Sequence, residues 1–353
     1  MANEAATYLP AGSPEDSTGD AGPERRRSTA GFGRYVLNRA SGAVVSLVAV
    51  LFTGFFIFRI LPRDPVEQIM LNTPNATPEL EAALRSEFGL DRPLLVQFWE
   101  YLTNTLSGDL GVSIQYQVPV TQIIADRLWP TVLLSGTALV LCVTVGFSQG
   151  AIAAWRNGSK FDKRTVNIAL LLYAAPAFWV GMIAIIVFAR ELRLFPTGRM
   201  VSATTPNEFW PRLLDTAHHM VLPTLTMSAM LYAGYLLIMR ASMLDEMGND
   251  YITTARAKGL RDAVVRRKHA MRNALLPTTT LVFMAIGNVI NGAVFTETVF
   301  TWPGLGYTFF QAISVPDLPV LQGLFIVFSA STILANLTAD ILYWFIDPRS
   351  RKA

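Results

Sequence analysis

Six stretches of the chain are made almost entirely of apolar residues, and polar segments separate them. They lie at 41–61, 129–155, 165–189, 220–239, 275–295 and 320–345. An α-helix of about twenty residues covers the ~30 Å hydrocarbon layer of a bilayer. Several of the stretches contain proline or glycine, which helices in lipid tolerate where neighbouring helices satisfy the freed backbone groups. The pattern therefore predicts an all-α protein that crosses a membrane six times.

The two ends of the chain differ from these stretches. Residues 1–33 are rich in Ala, Gly, Ser, Pro, Asp and Glu without hydrophobic periodicity, so we expect a disordered tail. A cleaved signal sequence is the rival interpretation of the first apolar run, but that run is too long for the core of a signal. We therefore predict a first transmembrane helix at 34–61, and a short polar tail at 347–353.

Composition agrees with a membrane protein. Hydrophobic residues make up 52% of the chain and charged residues only 16%, against roughly 25% in soluble domains. The net charge of +3 gives no indication of nucleic-acid binding. The lone Cys142 lies in an apolar run, which excludes a disulfide framework or a cysteine metal site.

The distribution of Lys and Arg predicts the orientation. Most of these residues lie in the N-terminal tail, the second loop, the fourth loop and the C-terminal tail, which are all on one side if six helices cross the membrane. Both termini are then cytoplasmic. The segment 62–127 is external, and within 62–128 nine Asp and Glu stand against four Arg. Residues 128–346 form the remaining membrane core.

Several kinds of chemistry lack a motif in the sequence. No Gly-Lys pair occurs, so the phosphate-binding loop that ends in Gly-Lys-Ser/Thr is absent and any ATP hydrolysis belongs to another chain. No catalytic residue and no metal ligand is predicted. The adjacent His218 and His219 are expected to lie at the membrane interface rather than to bind a metal.

The basic loop at 240–274 has the pattern of two short amphipathic helices separated by Gly259. Ile252, Ala255 and Leu260 are expected to form an apolar stripe, with basic residues beside it. Glycine permits a positive φ at the turn. Such a loop suits docking into a groove on a cytosolic partner, although an ordinary positive-inside loop that anchors topology would have the same charge.

This loop also carries a family resemblance. Residues 250–260 read DYITTARAKGL, and residues 268–277 read KHAMRNALLP. They resemble the EAA coupling loop of ABC importer permeases, in the dipeptide, oligopeptide and nickel branch, permease B type. Thr253, Thr254 and Ala255 stand where the general motif has Glu-Ala-Ala, and Arg272 where it has Pro, as in that branch.

Further motifs extend the resemblance over nearly the whole chain after residue 34. They are LPRDP at 61–65, GLDRPL at 89–94, SGDLGVS at 107–113, ETVFTWPGLG at 297–306 and DILYWFIDPR at 340–349. The tail 1–33 is not part of the pattern. The resemblance implies a type I ABC importer permease fold in the cytoplasmic (inner) membrane of a prokaryote.

The resemblance also implies the partners and the function. A second, homologous permease subunit would complete a heterodimeric pore, two ATPase subunits would hold ATP and Mg²⁺, and an extracytoplasmic binding protein would deliver short peptides. The chain itself would carry no cofactor. The ATPase-coupling residues implied are Tyr251, Thr254, Ala255, Arg256, Ala257, Lys258, Gly259 and Leu260.

Three polar residues are candidates for the translocation path. Asn288 and Asn291 lie about one helical turn apart in the run 275–295, where either pore lining or interhelical hydrogen bonding would explain them. Glu297 begins an external motif, and its carboxylate would either line a gate or a re-entrant segment or make a structural polar contact. Asp340, near the inner end of the last run, is expected to make a structural contact.

Other functions remain open from the residues alone. A secondary transporter would show inverted internal repeats, and none is convincing here. An intramembrane enzyme would need a nucleophile, base or metal motif. Within the importer family, a nickel chelate, glutathione or an opine is the alternative cargo to short peptides.

Overall fold

The structure is a computed structural model and describes residues 29–60, 66, 70, 77–87, 91–290 and 294–346. Within these ranges the chain is almost wholly helical, with one isolated antiparallel bridge between Val112 and Pro119. The helices are α1 Thr29–Ile60, α2 Pro78–Glu87, α3 Leu94–Leu106, α4 Val120–Trp155, α5 Lys160–Ala174, α6 Ala177–Ala184, α7 Phe209–Met247, α8 Asp250–Ala257, α9 Asp262–Val264, α10 Met271–Asn288, α11 Val294–Val299, α12 Leu305–Ser314 and α13 Leu318–Ile346. Two π-helical stretches, Ile185–Glu191 and Val265–Ala270, continue α6 and α9.

Four of the described helices are long and apolar enough to cross a bilayer. They are Phe32–Phe58 within α1, the whole of α4 and α7, and Leu318–Leu342 within α13. A fifth crossing results if α5 and α6 form one bent span. The predicted run 275–295 falls on α10, and residues 291–293 lie outside the described ranges. The number six and the sidedness of the termini therefore stay predictions.

The predicted run 165–189 falls on two helices separated by a sharp bend. Its two halves, α5 and α6, meet at an angle of 104°. Ala175 has an extended backbone (φ −77°, ψ 137°), and Pro176 is the N-cap residue of the next helix. The cause is local, because the proline ring disfavours helical backbone at the residue before it.

Helices α4 and α7 cross closely and form the centre of the molecule. They begin at Val120 and Phe209, well before the apolar runs that start at 129 and 220. Hydropathy marks only the part of a helix in lipid, so it misses these extensions. A Cβ added at Gly150 would lie 2.5 Å from the carbonyl oxygen of Leu236. The absence of a side chain there lets the two backbones approach.

The segment predicted as external contains two helices at the positions where the sequence is amphipathic. These are α2 and α3. The loop after α3 is held by Asp317, whose carboxylate accepts hydrogen bonds from the Ser113 hydroxyl at 2.5 Å and from the Gln115 amide at 3.1 Å. Asp317 is buried immediately before α13. The SGDLGVS motif is thus attached to the beginning of the last helix.

The two predicted tails fall largely outside the described residues, which begin at Thr29 and end at Ile346. Helix α1 begins before the predicted boundary at 34. Near its beginning, the Arg39 guanidinium lies 3.4 Å from the carboxylate of Asp340, and the Tyr35 hydroxyl donates to the Asp340 carbonyl at 3.0 Å. Asp340 therefore makes a structural contact between α1 and α13, as expected.

Candidate functional site

Helix α8 packs one face against the rest of the protein. Ile252 is fully buried and Ala255 is 5% exposed. Their neighbours come from four parts of the chain and are Ala151, Ala154, Met239, Met243, Val265, Ala270 and Ala274. Because α4, α7 and α10 all contribute to this cluster, a displacement of α8 would be transmitted to three of the long helices.

The turn after α8 depends on Gly259. Its φ is +76°, a conformation that a Cβ makes costly. The Gly259 amide donates to the Arg256 carbonyl at 2.9 Å, and the Leu260 amide donates to the Ala255 carbonyl at 3.4 Å. This pair of bonds is the Schellman arrangement that ends a helix. The predicted helix–Gly–helix loop is therefore present, with α9 and its π-helical continuation leading directly into α10.

A polar network ties the beginning of α8 to its neighbours. The Tyr251 hydroxyl donates to the carboxylate of Glu246 and accepts from the Asn273 side-chain amide at 3.0 Å. Burial, together with the nearby Glu246 carboxylate, raises the pKa of Tyr251. Residue 273 belongs to the KHAMRNALLP motif, so this network joins the two halves of the sequence pattern.

Arg256 is engaged within the chain. Its guanidinium carbon lies 5.0 Å from the centre of the Trp155 ring, and its Nε lies 3.6 Å from Asp262 Oδ1. Both Trp155 and Asp262 lie close to the turn that follows α8. We therefore assign Arg256 a part in shaping the turn.

The rest of the predicted coupling residues are exposed, and we name them the coupling surface: Thr254, Ala257, Lys258, Gly259 and Leu260. The expected apolar stripe is correct for Ile252 and Ala255 only. Leu260 is 40% exposed because it follows the turn and no longer shares the helical face. The structure thus divides the predicted residues into an inner set that anchors α8 and an outer set available to a partner.

An ion pair that the sequence did not indicate braces the neighbouring loop. The Arg240 guanidinium donates to both carboxylate oxygens of Asp162, at 2.7 and 2.8 Å. Asp162 also accepts from the Gly158 amide at 2.9 Å. Two parallel hydrogen bonds fix the relative orientation of the groups, so α5 is held to the end of α7. The partners lie far apart in sequence, and no local pattern links them.

Of the three candidate path residues, the structure describes the side-chain surroundings of Glu297. Asn288 ends α10, and Asn291 lies outside the described residues. Glu297 is fully buried in α11. Its carboxylate accepts from the Thr131 hydroxyl at 2.8 Å and from the Tyr307 amide at 3.0 Å.

These contacts attach the segment 294–314 to α4. The Trp302 indole donates to the Pro130 carbonyl at 2.9 Å, and the Leu305 amide donates to the Thr131 hydroxyl at 2.7 Å. A Cβ at Gly304 would collide with Glu297 and Thr131. The glycines of the ETVFTWPGLG motif therefore leave room for a buried carboxylate at the beginning of α12, where the first amide donors have no partner within the helix.

The structure also contains a polar cluster around His219 that the sequence did not predict. Its Nε2 lies 3.0 Å from the Ser202 hydroxyl and 3.5 Å from an Asp215 oxygen. The order of contacts differs from a hydrolase triad, because Nδ1 faces the backbone carbonyls of Gly198 and Arg199 rather than a carboxylate. The cluster holds the 192–208 loop to α7. Among the described residues, no group of three or more His, Cys, Asp or Glu could hold a metal.

Comparisons with known proteins agree with this architecture. The family described as binding-protein-dependent transport system inner membrane component matches residues 146–352, and its N-terminal counterpart matches residues 32–135. The chain is 35% identical over 335 residues to the dipeptide transport system permease protein of Escherichia coli strain K12, covering 90% of this chain and 98% of that protein. It is 37% identical over 318 residues to the glutathione transport system permease protein of Escherichia coli O6:H1, with the same coverage.

The chain therefore belongs to the family of binding-protein-dependent transport system inner membrane components. It is a multi-pass inner membrane protein and a permease subunit of an ABC transporter. Membership in the family implies a solute-binding protein and ATPase subunits as partners. The resemblance inferred from the 250–277 loop and the other motifs is confirmed at the level of the family.

Proposed function

We propose that the chain forms one half of the pore of an ABC importer that moves short peptides inward. The observation that carries the proposal is the α8 turn, whose inner residues are fixed in the core while the coupling surface is exposed. A rigid, outward-facing turn is suited to transmit the movement of a partner. The names of the two relatives support a peptide or a peptide derivative as cargo.

The proposed complex contains a second, homologous permease subunit and two ATPases that hold ATP and Mg²⁺. An extracytoplasmic binding protein supplies the peptide. ATP binding would draw the ATPases together, and the coupling surface would follow them. To open the pore outward, ATP and the loaded binding protein must together bind the outward-open state a few kcal/mol more tightly than the inward-open state. Equal binding to both states would not shift the equilibrium between them.

We also propose Asn288 and Asn291 as residues that line the path, because amide side chains in an apolar run need polar neighbours or water. The contacts of Glu297 support a role in holding the 294–314 segment, which would form part of the gate. Two donated hydrogen bonds occupy the Glu297 carboxylate, and this leaves less capacity for direct contact with cargo.

A charge on the coupling surface tests the docking assignment. Ala257→Glu should leave the complex assembled while peptide uptake into proteoliposomes falls at least tenfold, because a carboxylate would be buried against the ATPase. The matched control is Ala83→Glu, which makes the same substitution at an exposed position of α2. Wild-type uptake by the Ala257 variant in an intact complex would contradict the proposal.

The cargo is tested separately, through the binding protein. Isothermal titration calorimetry measures the affinity of the binding protein for dipeptides, tripeptides, glutathione, a nickel chelate and an opine. One of the unmodified short peptides should bind most tightly. Tightest binding of a nickel chelate, glutathione or an opine would contradict the cargo assignment. It would leave the coupling assignment intact, because the α8 turn does not contact cargo.

A further inference from the structure

Helix α3 packs one face against the last part of α1. The Phe98 ring lies 5.2 Å from the ring of Phe55 and 6.0 Å from the ring of Phe52, measured between centroids. Tyr101 lies 5.6 Å from Phe55. These ring contacts join one turn of each helix, so the two helices cross.

A second apolar strip on α3 is exposed. We name it the α3 strip, and it consists of the exposed Leu95, Trp99 and Leu106, with the half-buried Leu102 completing the row. Leu95 is 83% exposed, Trp99 65% and Leu106 68%. The spacing of four, three and four residues places these side chains along one line of the helix, directly beside the packed face.

The opposite side of α3 is mostly polar, with Val96, 43% exposed, as an apolar member. Glu100, Thr103 and Asn104 lie there, and the Glu100 carboxylate pairs with the Arg92 guanidinium. Helix α3 thus has three faces in order: one packed on α1, one apolar and exposed, and one polar and exposed. A strip of this kind left in water would be an aggregation hazard, so it requires a nonaqueous neighbour.

The depth of the contact on α1 identifies that neighbour. The apolar span of α1 ends at Phe58. The contacts at Phe52 and Phe55 are one to two turns before that end, which is about 5–9 Å along the helix axis. Helices that lie in a membrane interface bury their apolar face by about 5–10 Å at the boundary between headgroups and acyl chains.

The α3 strip also continues the lipid-facing surface of α1. Phe52 contacts Phe98, yet it remains 58% exposed, and Phe56 is 51% exposed. Val48, one turn earlier, is 58% exposed. Exposed apolar side chains therefore extend along α1 as far as the residue that contacts α3.

From these observations we propose that α3 is an interfacial helix whose strip binds the lipid bilayer. Trp99 would lie among the headgroups, where indole rings are favoured, and the leucines would reach the acyl chains. The polar face with Glu100 would meet water. Helix α3 would then act as a lipid anchor that sets the height of the 77–119 segment above the membrane.

Spin labels test the proposal in the full chain, assembled with its partner subunits in phospholipid vesicles. In a background lacking Cys142, single cysteines replace Leu95, Leu106 or Asn104, and each carries a nitroxide. The labels at 95 and 106 should collide more often with oxygen, which concentrates in lipid, than with a water-soluble nickel complex. The matched control at 104 is exposed on the polar face and should show the opposite preference.

Equal access of the nickel complex to positions 95, 106 and 104 would overturn the proposal. So would a label at 95 that becomes immobilised only when the binding protein is added, because the strip would then be a protein-docking surface. Replacing Leu95 and Leu106 by Ser should shift a nitroxide at Trp99 toward the aqueous reagent. No change in that label would also count against the lipid anchor.

Discussion

At the scale of single residues, Gly259 shows how one position determines the candidate site. Its positive φ, together with the two backbone hydrogen bonds of the turn, ends α8 and exposes the residues after it. Nothing lies within 4 Å of a Cβ built at this position. Any cost of substitution therefore comes from the backbone conformation and not from crowding.

Substitutions at Gly259 should consequently follow the order of backbone tolerance. Gly259→Asn should retain most transport, because Asn adopts the left-handed conformation more readily than other residues. Gly259→Ala should cost about 1–2 kcal/mol in local stability. Gly259→Pro should abolish coupling, since proline fixes φ near −65° and removes the amide that bonds to Arg256.

Peptide uptake and ATPase activity in proteoliposomes measure this series. Loss of uptake with residual ATP hydrolysis would indicate uncoupling, which a global folding defect would not produce. If Gly259→Ala reduced peptide uptake more than Gly259→Pro, the loss would come mainly from crowding against a partner subunit and not from backbone strain.

At the scale of elements, the contact between α4 and α7 depends on the absence of side chains. Gly146 and Gly150 face α7, and a Cβ at Gly146 would lie 2.9 Å from the Cβ of Tyr235. The same helix α4 carries Gly136, where a Cβ would meet nothing within 4 Å. One helix thus provides both a test position and its control.

Gly150→Ala should destabilise the protein by about 1–3 kcal/mol, because the added methyl group meets the rigid backbone of Leu236. Gly136→Ala should be neutral or slightly stabilising. Thermal unfolding in detergent, followed by helix circular dichroism, compares the two variants. Equal unfolding temperatures would show that the helices can separate at this crossing without cost.

At the scale of the whole molecule, orientation is the property on which the proposed mechanism depends. The coupling surface must face the cytosolic ATPases, whereas 62–127 must face the binding protein. The distribution of Lys and Arg predicts this arrangement, and labelling from the two sides of the membrane can test it.

Cysteine labelling checks the orientation in a background that lacks Cys142. Cysteines at Glu81 and Asp109 should react with a membrane-impermeant thiol reagent added from outside. Cysteines at Lys160 and Arg261, which are both exposed in the structure, should react only after the membrane is opened. The reverse pattern would invert the topology and with it the coupling assignment.

Much of the fold was predictable because lipid imposes a simple rule. An apolar run of about twenty residues must be helical in a bilayer, and most of the predicted runs coincide with long helices. The bend within 165–189 could not be seen in hydropathy, although Pro176 marks its position. Helices α2 and α3 lie where the sequence of the external segment is amphipathic.

The candidate site was likewise predictable from the sequence only in part. The sequence by itself determined the family, the helix–Gly–helix loop and the residues of its turn, because these depend on local backbone preference and on motif. The apolar stripe was predicted correctly at Ile252 and Ala255 but not at Leu260, which follows the turn. Only the tertiary structure decided that Glu297 is buried against Thr131 and that Asp162 pairs with Arg240. Each of those contacts joins segments distant in sequence, and their geometry follows from the packing of helices, which no local pattern encodes.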